Sequence, residues 1–182
     1  MKKRLIVLIL ICLALCCGFA LAEGGDVSLL TENEIDSLTA EEDFSWTLED
    51  GTLTISGDIP DYAYGGAPWY ASRKSIQEVV LNAGVTCIGS CAFYECSNLV
   101  SITIPDSVTS IGECAFCSCS SLTSITVPNV LTSIGRYAFE NCSSLTSITS
   151  PDGMTSIDEW TFAGCSSLTD ITIPDSVTVK SV

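Results

Sequence analysis

The sequence contains no histidine among its 182 residues. Histidine is the side chain that most often serves as general base, proton shuttle and metal ligand near neutral pH. Its absence excludes Ser-His-Asp and Cys-His catalysis. Hydrolysis by paired carboxylates remains formally open because Asp and Glu total 22, but no pattern places two of them in an apolar cleft. We therefore expect a protein that is not an enzyme and that needs no cofactor.

Basic residues are also scarce. Lys and Arg total 7 against 22 acidic residues, which gives a net charge of −15. A protein that binds nucleic acid needs a basic surface to neutralise phosphates, and this chain has none. We expect no nucleic acid partner.

Three of the seven basic residues, Lys2, Lys3 and Arg4, open the chain and precede an apolar run that starts at Leu5. Together with the small residues Ala20-Leu21-Ala22, they predict a signal peptide over residues 1–22 that is cleaved on export. An uncleaved anchor is the alternative, since the run from Leu5 to Ala22 reaches the ~17 residues that span a bilayer. Residues 23–43 are polar and acidic and are predicted to be a flexible linker. The mature protein is expected to be secreted or held at the cell surface, with no membrane contact beyond the signal segment.

The remainder of the chain repeats itself every 23 residues. Five apolar columns keep this step in one register, and they are Ile88-Ile111-Ile134-Ile157, Phe93-Phe116-Phe139-Phe162, Cys96-Cys119-Cys142-Cys165, Leu99-Leu122-Leu145-Leu168 and Ile102-Ile125-Ile148-Ile171. A fixed period in the twenties indicates a solenoid in which each repeat forms one coil and packs only on its neighbours. Such a fold favours a binding or adhesion function over catalysis.

One coil, from Cys119 to Phe139, shows the expected local structure. Apolar Ile125 alternates with Ser124 and Thr126, which predicts a short strand that Pro128 ends. A second short extended piece reaches Ile134, Gly135 is expected to turn the corner, and a helical turn is expected on the third side. The prediction is an α/β solenoid, mostly β, wound as a right-handed coil over residues 76–182.

Residues 44–75 are predicted to close the first coil. Residues 44–57 predict a β-hairpin because Asp50-Gly51, a strong two-residue turn signal, separates two alternating segments. The following loop is rich in Gly, Pro and aromatic residues and is expected to cap the open end of the core. Its aromatic residues are assigned to capping, and any that stay exposed are candidate binding hot spots. These candidates are Tyr62, Tyr64, Trp69 and Tyr70.

The eight cysteines that follow the signal segment divide into two groups. The four of the repeat column are read as small buried hydrophobic residues. The other four, Cys87, Cys91, Cys114 and Cys117, cluster in the first coils. Cys91 and Cys114 are 23 residues apart, so they should lie on adjacent coils within disulfide distance. Free thiols are the alternative, and a zinc site is a further one, although the ligand columns diverge around the coil.

The outward positions of the first strand form a face of small hydroxyl side chains. The candidate ligand-binding residues are Ser101, Thr103, Ser124, Thr126, Ser147, Thr149 and Thr172. They are either simple strand-compatible polar residues or a low-relief surface for a protein or glycan. An ice-binding array is disfavoured by the expected curvature. Asp106, Asp152 and Asp175 suit turns better than a calcium site, because Asn129 interrupts their column.

The motif C-x-x-L-x-x-I-x-I-P-x-x-V-x-x-I-G-x-x-A-F-x-x-C runs from Cys96 to Cys165 with partial copies on both sides, and it resembles the BspA-like, Treponema pallidum type, leucine-rich repeat family. The resemblance covers residues 44–178, with departures at Ser150, Asp158, Thr161 and Lys180. It implies a curved solenoid with a sheet on one face, a bacterial surface or secreted location, and contact with host or matrix molecules. We expect an extracellular adhesion module with a protein or glycan partner. The alternative is a structural or vestigial fragment of a longer array that has no ligand of its own.

Overall fold

The computed structural model describes residues 44–149, 153–172 and 177–179, all within one compact unit, Ala40–Val182. The predicted signal peptide (1–22) and acidic linker (23–43) lie outside the described residues, as do Ser150 and Lys180. The strands are β1 (Ser45–Glu49), β2 (Thr52–Ser56), β3 (Glu78–Leu81), β4 (Cys87–Ile88), β5 (Ser101–Thr103), β6 (Ser110–Ile111), β7 (Ser124–Thr126), β8 (Ser133–Ile134), β9 (Ser147–Thr149), β10 (Ser156–Ile157), β11 (Asp170–Thr172) and β12 (Thr178–Val179). A 3-10 helix spans Tyr70–Ser75.

The predicted hairpin is confirmed. Strands β1 and β2 pair antiparallel with Leu48 opposite Leu53, and the two turn residues Asp50 and Gly51 have φ angles of 47° and 84°. Both angles are positive, as a two-residue hairpin turn requires, and Asp and Gly tolerate them. Strand β2 then pairs parallel with β3. The hairpin therefore extends the first sheet of the solenoid.

The 23-residue period is confirmed as a stack of parallel strands. Each coil contributes one short strand to a five-stranded sheet in the order β12-β10-β8-β6-β4. In this sheet Ile88 lies beside Ile111, and Ile111 lies beside Ile134. Equivalent residues of successive coils are therefore hydrogen-bonded neighbours, which explains why the columns keep one register.

The outer strands form two sheets rather than one. Their orders are β1-β2-β3-β5 and β11-β9-β7. At the break, the backbone N–H of Thr123 lies 3.5 Å from the carbonyl oxygen of Val100, whereas the equivalent bond from Thr146 to Thr123 is 3.0 Å. The expected single sheet is thus interrupted between β5 and β7.

The inward columns form one continuous core. The phenylalanine rings stack along the axis, with centroids 5.2 Å apart from Phe93 to Phe116 and from Phe116 to Phe139. The first half-coil also packs as its columns predict, since Ile76, Val79 and Val85 are fully buried. Within the described ranges, no helix has the length and apolar character needed to cross a membrane.

The third side of each coil differs from the expected helical turn. It consists of successive turns, in which bonds such as Cys119 N–H to the Phe116 carbonyl join residues three apart. The chain reverses at residues with left-handed backbone angles, and one such column is Cys91, Cys114, Tyr137 and Trp160, with φ from 53° to 59°. A helix cannot pass through residues in this conformation.

The glycine that was expected to turn the corner has a different role. The φ angles of Gly112 and Gly135 are not positive. A Cβ atom on Gly112 would lie 2.6 Å from the backbone nitrogen of Ser90, and one on Gly135 would lie 2.8 Å from that of Glu113. Glycine is favoured here because adjacent coils approach so closely. The next coil has Asp158 at this position, and its backbone bond to the preceding coil lengthens to 3.3 Å, against 2.9 Å for Gly135.

Candidate ligand-binding surfaces

The hydroxyl face lies on the outer strands as expected. On β5, Ser101 and Thr103 are exposed while Ile102 between them is buried, and β7 repeats this pattern with Ser124 and Thr126. Ser147 on β9 is half-buried. Thr149 and Thr172 end β9 and β11, and only their backbones are described. The break between the two sheets divides this face between β5 and β7.

Other hydroxyl columns have a structural role that the sequence analysis did not identify. The hydroxyls of Thr109, Thr132 and Thr155 each donate to the carbonyl oxygen of the threonine one coil earlier, at 3.1–3.2 Å. Two more columns, which contain Ser143 and Thr146, bond in the same way. The sequence did contain a signal for this role, because threonine and serine recur at 23-residue steps in these columns. The columns of the outer face show the same step, so spacing alone could not distinguish the two.

The face hydroxyls differ from these ladders. Within the described residues, the side chains of Ser101, Thr103, Ser124 and Thr126 make no hydrogen bond to the protein. Their donors and acceptors are directed to solvent and remain available to a ligand. The candidate face therefore differs from the rest of the coil, where the hydroxyls bond to the preceding coil.

The four candidate aromatic residues have different environments. Trp69 is 1% exposed and its indole N–H donates to the carbonyl oxygen of Ala92 at 2.8 Å. It packs against Phe93, which begins the phenylalanine stack. Trp69 therefore caps the core, as the capping interpretation holds, and is not available as a hot spot. Tyr62 and Tyr70 are half-buried, and Tyr64 is 65% exposed.

Two carboxylates complete the cap, and the sequence analysis missed them. Asp58 accepts the backbone N–H of Thr86 at 2.6 Å, and Asp61 accepts that of Ser90 at 2.6 Å. In the next coil, the N–H equivalent to that of Thr86 donates instead to a carbonyl oxygen of the preceding coil. The Asp58 carboxylate thus replaces the carbonyl group of a coil that is not there. These bonds lower the pKa of both Asp58 and Asp61 because they favour the charged form.

Three of the four repeat cysteines, Cys96, Cys119 and Cys142, are buried as predicted, whereas Cys165 is half-buried. Cys119 and Cys142 also form hydrogen bonds between coils. The thiol of Cys119 donates to the carbonyl oxygen of Phe93 at 3.2 Å, and the thiol of Cys142 donates to that of Phe116 at 3.2 Å. Burial raises the pKa of the Cys96 thiol to about 12 and those of Cys119 and Cys142 well above their usual range. All three thiols are inert core groups, and those of Cys119 and Cys142 also join adjacent coils.

Three of the other four cysteines form a separate cluster, which we name the corner thiols: Cys91, Cys114 and Cys117. Cys87 was expected to join them, but it is half-buried outside this cluster. All three are buried and lie against Tyr62, Tyr94 and Tyr137. Burial raises the pKa of Cys91 to about 11, and its neighbour Cys114 adds to this effect. All eight cysteines of the described part are free thiols in this structure, so the Cys91–Cys114 disulfide stays a prediction.

No metal-binding geometry is present in the part of the chain that the structure describes. It contains no group of three or more Cys, Asp or Glu side chains arranged to hold an ion. The zinc alternative for the corner thiols therefore has no ligand set there. Asp106 is exposed in the turn after β5, while Asp152 and Asp175 lie outside the described residues.

Comparison with known proteins identifies the repeat. Residues 66–181 match a family model described as BspA type leucine rich repeat region, in six copies. No curated protein is significantly similar to the chain.

Several solved bacterial structures share the fold. A leucine-rich repeat protein of T. pallidum is 27% identical, with a TM-score of 0.59, over 72% of this chain and 69% of that one. One from Eubacterium ventriosum is 31% identical, with a TM-score of 0.58, over 73% of this chain and 42% of that one. A leucine rich cell surface protein of Faecalibacterium prausnitzii is 28% identical, with a TM-score of 0.57, over 74% of this chain and 33% of that one. With its coil period, stacked core and family match in agreement, the chain belongs to the BspA-type leucine-rich repeat family.

Proposed function

We propose that this chain is a non-catalytic interaction module of the bacterial cell surface that binds a protein or glycan through the hydroxyl face of β5, β7 and β9. The observation on which the proposal rests is the difference between the hydroxyl columns. Threonines on the sides of the coil bond to the preceding coil. Thr103 on β5 and Thr126 on β7 have no side-chain partner within the described residues and are exposed.

The chemistry of this face suits a polar, extended ligand. Each hydroxyl can donate one hydrogen bond and accept two, so a column of them can match the hydroxyls of a glycan or the backbone of a peptide. The side chains are short, which lets a ligand approach the strands closely. The family assignment supports an extracellular location, as does the similarity to the F. prausnitzii cell surface protein.

The test is a binding screen of the mature chain against extracellular matrix proteins, cell-wall fragments and glycans. We expect saturable binding that Thr103→Lys or Thr126→Lys weakens at least tenfold, because a long charged side chain obstructs the face. Val130→Lys is the matched control, since Val130 is 47% exposed in the turn beyond Pro128 and outside the face.

Two results would contradict the proposal. Binding that is equally sensitive to Val130→Lys would show that added charge, and not the face, is responsible. The absence of saturable binding across the screen would favour the alternative, a structural segment with no ligand of its own.

A further inference from the structure

Exposed aromatic side chains lie on the turn side of the coils, away from the hydroxyl face. Trp160 is 62% exposed and Tyr64 is 65% exposed. Trp160 shares a 23-residue column with Tyr137 and Cys114, and the hydroxyl of Tyr64 lies 3.4 Å from Sγ of Cys114. Because adjacent coils are ~4.8 Å apart, these rings follow one another along the solenoid. Tyr94 belongs to a different column but packs against Tyr64. We name Tyr64, Tyr94, Tyr137 and Trp160 the aromatic row.

At two places in the structure, an arginine lies over a tyrosine ring, which shows the kind of group that such rings bind. The guanidinium of Arg136 lies 4.8 Å from the centre of the Tyr137 ring and 3.3 Å from a carboxylate oxygen of Glu159, which belongs to the next coil. At the cap, the guanidinium of Arg73 lies 4.0 Å from the ring of Tyr70 and 3.1 Å from Glu95. In both cases an aromatic face and a carboxylate from the neighbouring coil hold one guanidinium.

The same combination occurs without a cation elsewhere in the row. Tyr64 packs edge-on against Tyr94 with ring centroids 5.0 Å apart, and exposed Glu113 directly precedes the Cys114 that Tyr64 contacts. Within the described residues, no basic side chain pairs with Glu113 or lies over the ring of Tyr64. The described part contains only three basic residues, Arg73, Lys74 and Arg136, and the two arginines are already engaged.

We propose that the aromatic row is a second binding surface, and that its ligand is a basic segment of a partner protein, rich in arginine. Arginine fits better than lysine because its planar guanidinium stacks on a ring while its N–H groups bond a carboxylate. The net charge of −15 attracts such a segment over a longer range. This surface uses none of the residues of the hydroxyl face, so either proposal can fail without the other.

The experiment measures the anisotropy of a fluorescein-labelled oligo-arginine peptide titrated with the mature chain at about 0.1 M salt, where contacts beyond ~10 Å are screened. Tyr64→Ala and Trp160→Ala should each raise the Kd about two- to fivefold, the range expected for loss of one exposed cation–π contact. Trp160→Phe should retain most of the affinity, and an oligo-lysine peptide should bind more weakly than oligo-arginine.

The charge control separates this site from general attraction to an acidic protein. Glu113→Gln and Glu78→Gln remove the same charge, but Glu78 is on β3 at the sheet face. The proposal requires Glu113→Gln to weaken binding more than Glu78→Gln does. Equal effects of the two variants, no effect of Trp160→Ala, or no saturable binding of oligo-arginine would each show that the proposal is wrong.

Discussion

Gly112 and Gly135 show how one missing atom sets the distance between coils. Each lies where the preceding coil's backbone leaves no room for a Cβ atom. A methyl group there would force the coils apart and strain the stacked core. Overpacking of this kind typically costs about 1–3 kcal/mol. Asp158 shows the consequence within the same chain, because its inter-coil bond is longer.

We therefore expect Gly112→Ala to lower the free energy of unfolding by about 1–3 kcal/mol, as measured by urea denaturation. Glu113→Ala is the control, because Glu113 is the exposed neighbour and its truncation creates no clash. Equal midpoints for Gly112→Ala and the unmodified protein would contradict the close-approach explanation.

The corner thiols give a second prediction at this scale. If Cys91 and Cys114 form a bridge after export, the chain without residues 1–22 should show six free thiols in denaturant from its eight cysteines. Cys91→Ser should raise the count to seven, because it releases Cys114 while removing one sulfur. A count of eight in the unmodified protein would exclude the disulfide. In the native state, Cys119 and Cys142 should resist alkylation because burial holds their pKa high.

At the scale of elements, the amino-terminal cap covers the first coil with both apolar packing and hydrogen bonds. Trp69 covers the end of the phenylalanine stack, while strand β2 pairs with β3. Asp58 and Asp61 satisfy backbone N–H groups that the first coil would otherwise expose. An unpaired edge in a solenoid promotes association with other chains, so these contacts protect the array as well as stabilise it.

The indole of Trp69 should contribute through its hydrogen bond as well as its area. Trp69→Phe keeps a ring but leaves the buried carbonyl oxygen of Ala92 without this donor, which should cost about 1–3 kcal/mol of unfolding free energy. Trp46→Phe is the matched control, since Trp46 is 38% exposed and its indole N–H makes no hydrogen bond in the described part. Similar thermal stability of both variants would contradict a specific role for the Trp69 hydrogen bond.

The cap carboxylates predict a pH dependence. The pKa values of Asp58 and Asp61 are lowered from 3.8 in the folded protein. Below pH 3.8 the unfolded chain binds more protons than the folded one, so stability falls as the pH drops. We expect urea midpoints to be constant from pH 7 to about pH 5 and to decline toward pH 3. Asp58→Asn should reduce this decline, whereas Asp106→Asn, in an exposed turn, should leave it unchanged. Identical pH profiles for the two variants would contradict the assignment.

At the scale of the whole molecule, the array is not uniform. The outer strands divide into two sheets between β5 and β7. The coil that contains Phe162 is also packed less tightly than the coils before it. Phe162, Cys165 and Leu168 are half-buried, whereas their equivalents Phe139, Cys142 and Leu145 are fully buried. The phenylalanine spacing also widens to 5.7 Å at this step.

This difference predicts uneven local stability. In hydrogen exchange followed by mass spectrometry, amides of residues 153–172 should exchange faster than those of residues 108–145. The physical reason is that the later coil buries less apolar surface and has a longer inter-coil bond at Asp158. Uniform protection across the two segments would contradict this expectation, and Trp69→Phe should accelerate exchange mainly in residues 76–99.

Much of the fold could be predicted because the 23-residue repeat indicates which residues of successive coils lie next to each other. Columns at a fixed 23-residue step must become neighbours when coils stack, so the core and the parallel pairing were predictable. The hairpin was predictable for a different reason, the Asp50-Gly51 turn signal between two alternating segments. The candidate surfaces were less predictable. Threonines at two columns of the same coil have identical spacing, yet Thr132 bonds to the preceding coil while Thr126 has no such bond in the described structure.

Sequence pattern alone was sufficient for the solenoid, its period and its inward side chains, because each depends on residue type at regular positions. Three properties depended on distances between coils that no pattern states. They are the glycine packed against the preceding backbone, the Asp58 carboxylate that replaces a carbonyl group of a missing coil, and the guanidinium of Arg136 held between the Tyr137 ring and a carboxylate of the next coil. All three arise where atoms of different coils approach within a few ångströms, and only the folded chain brings them together.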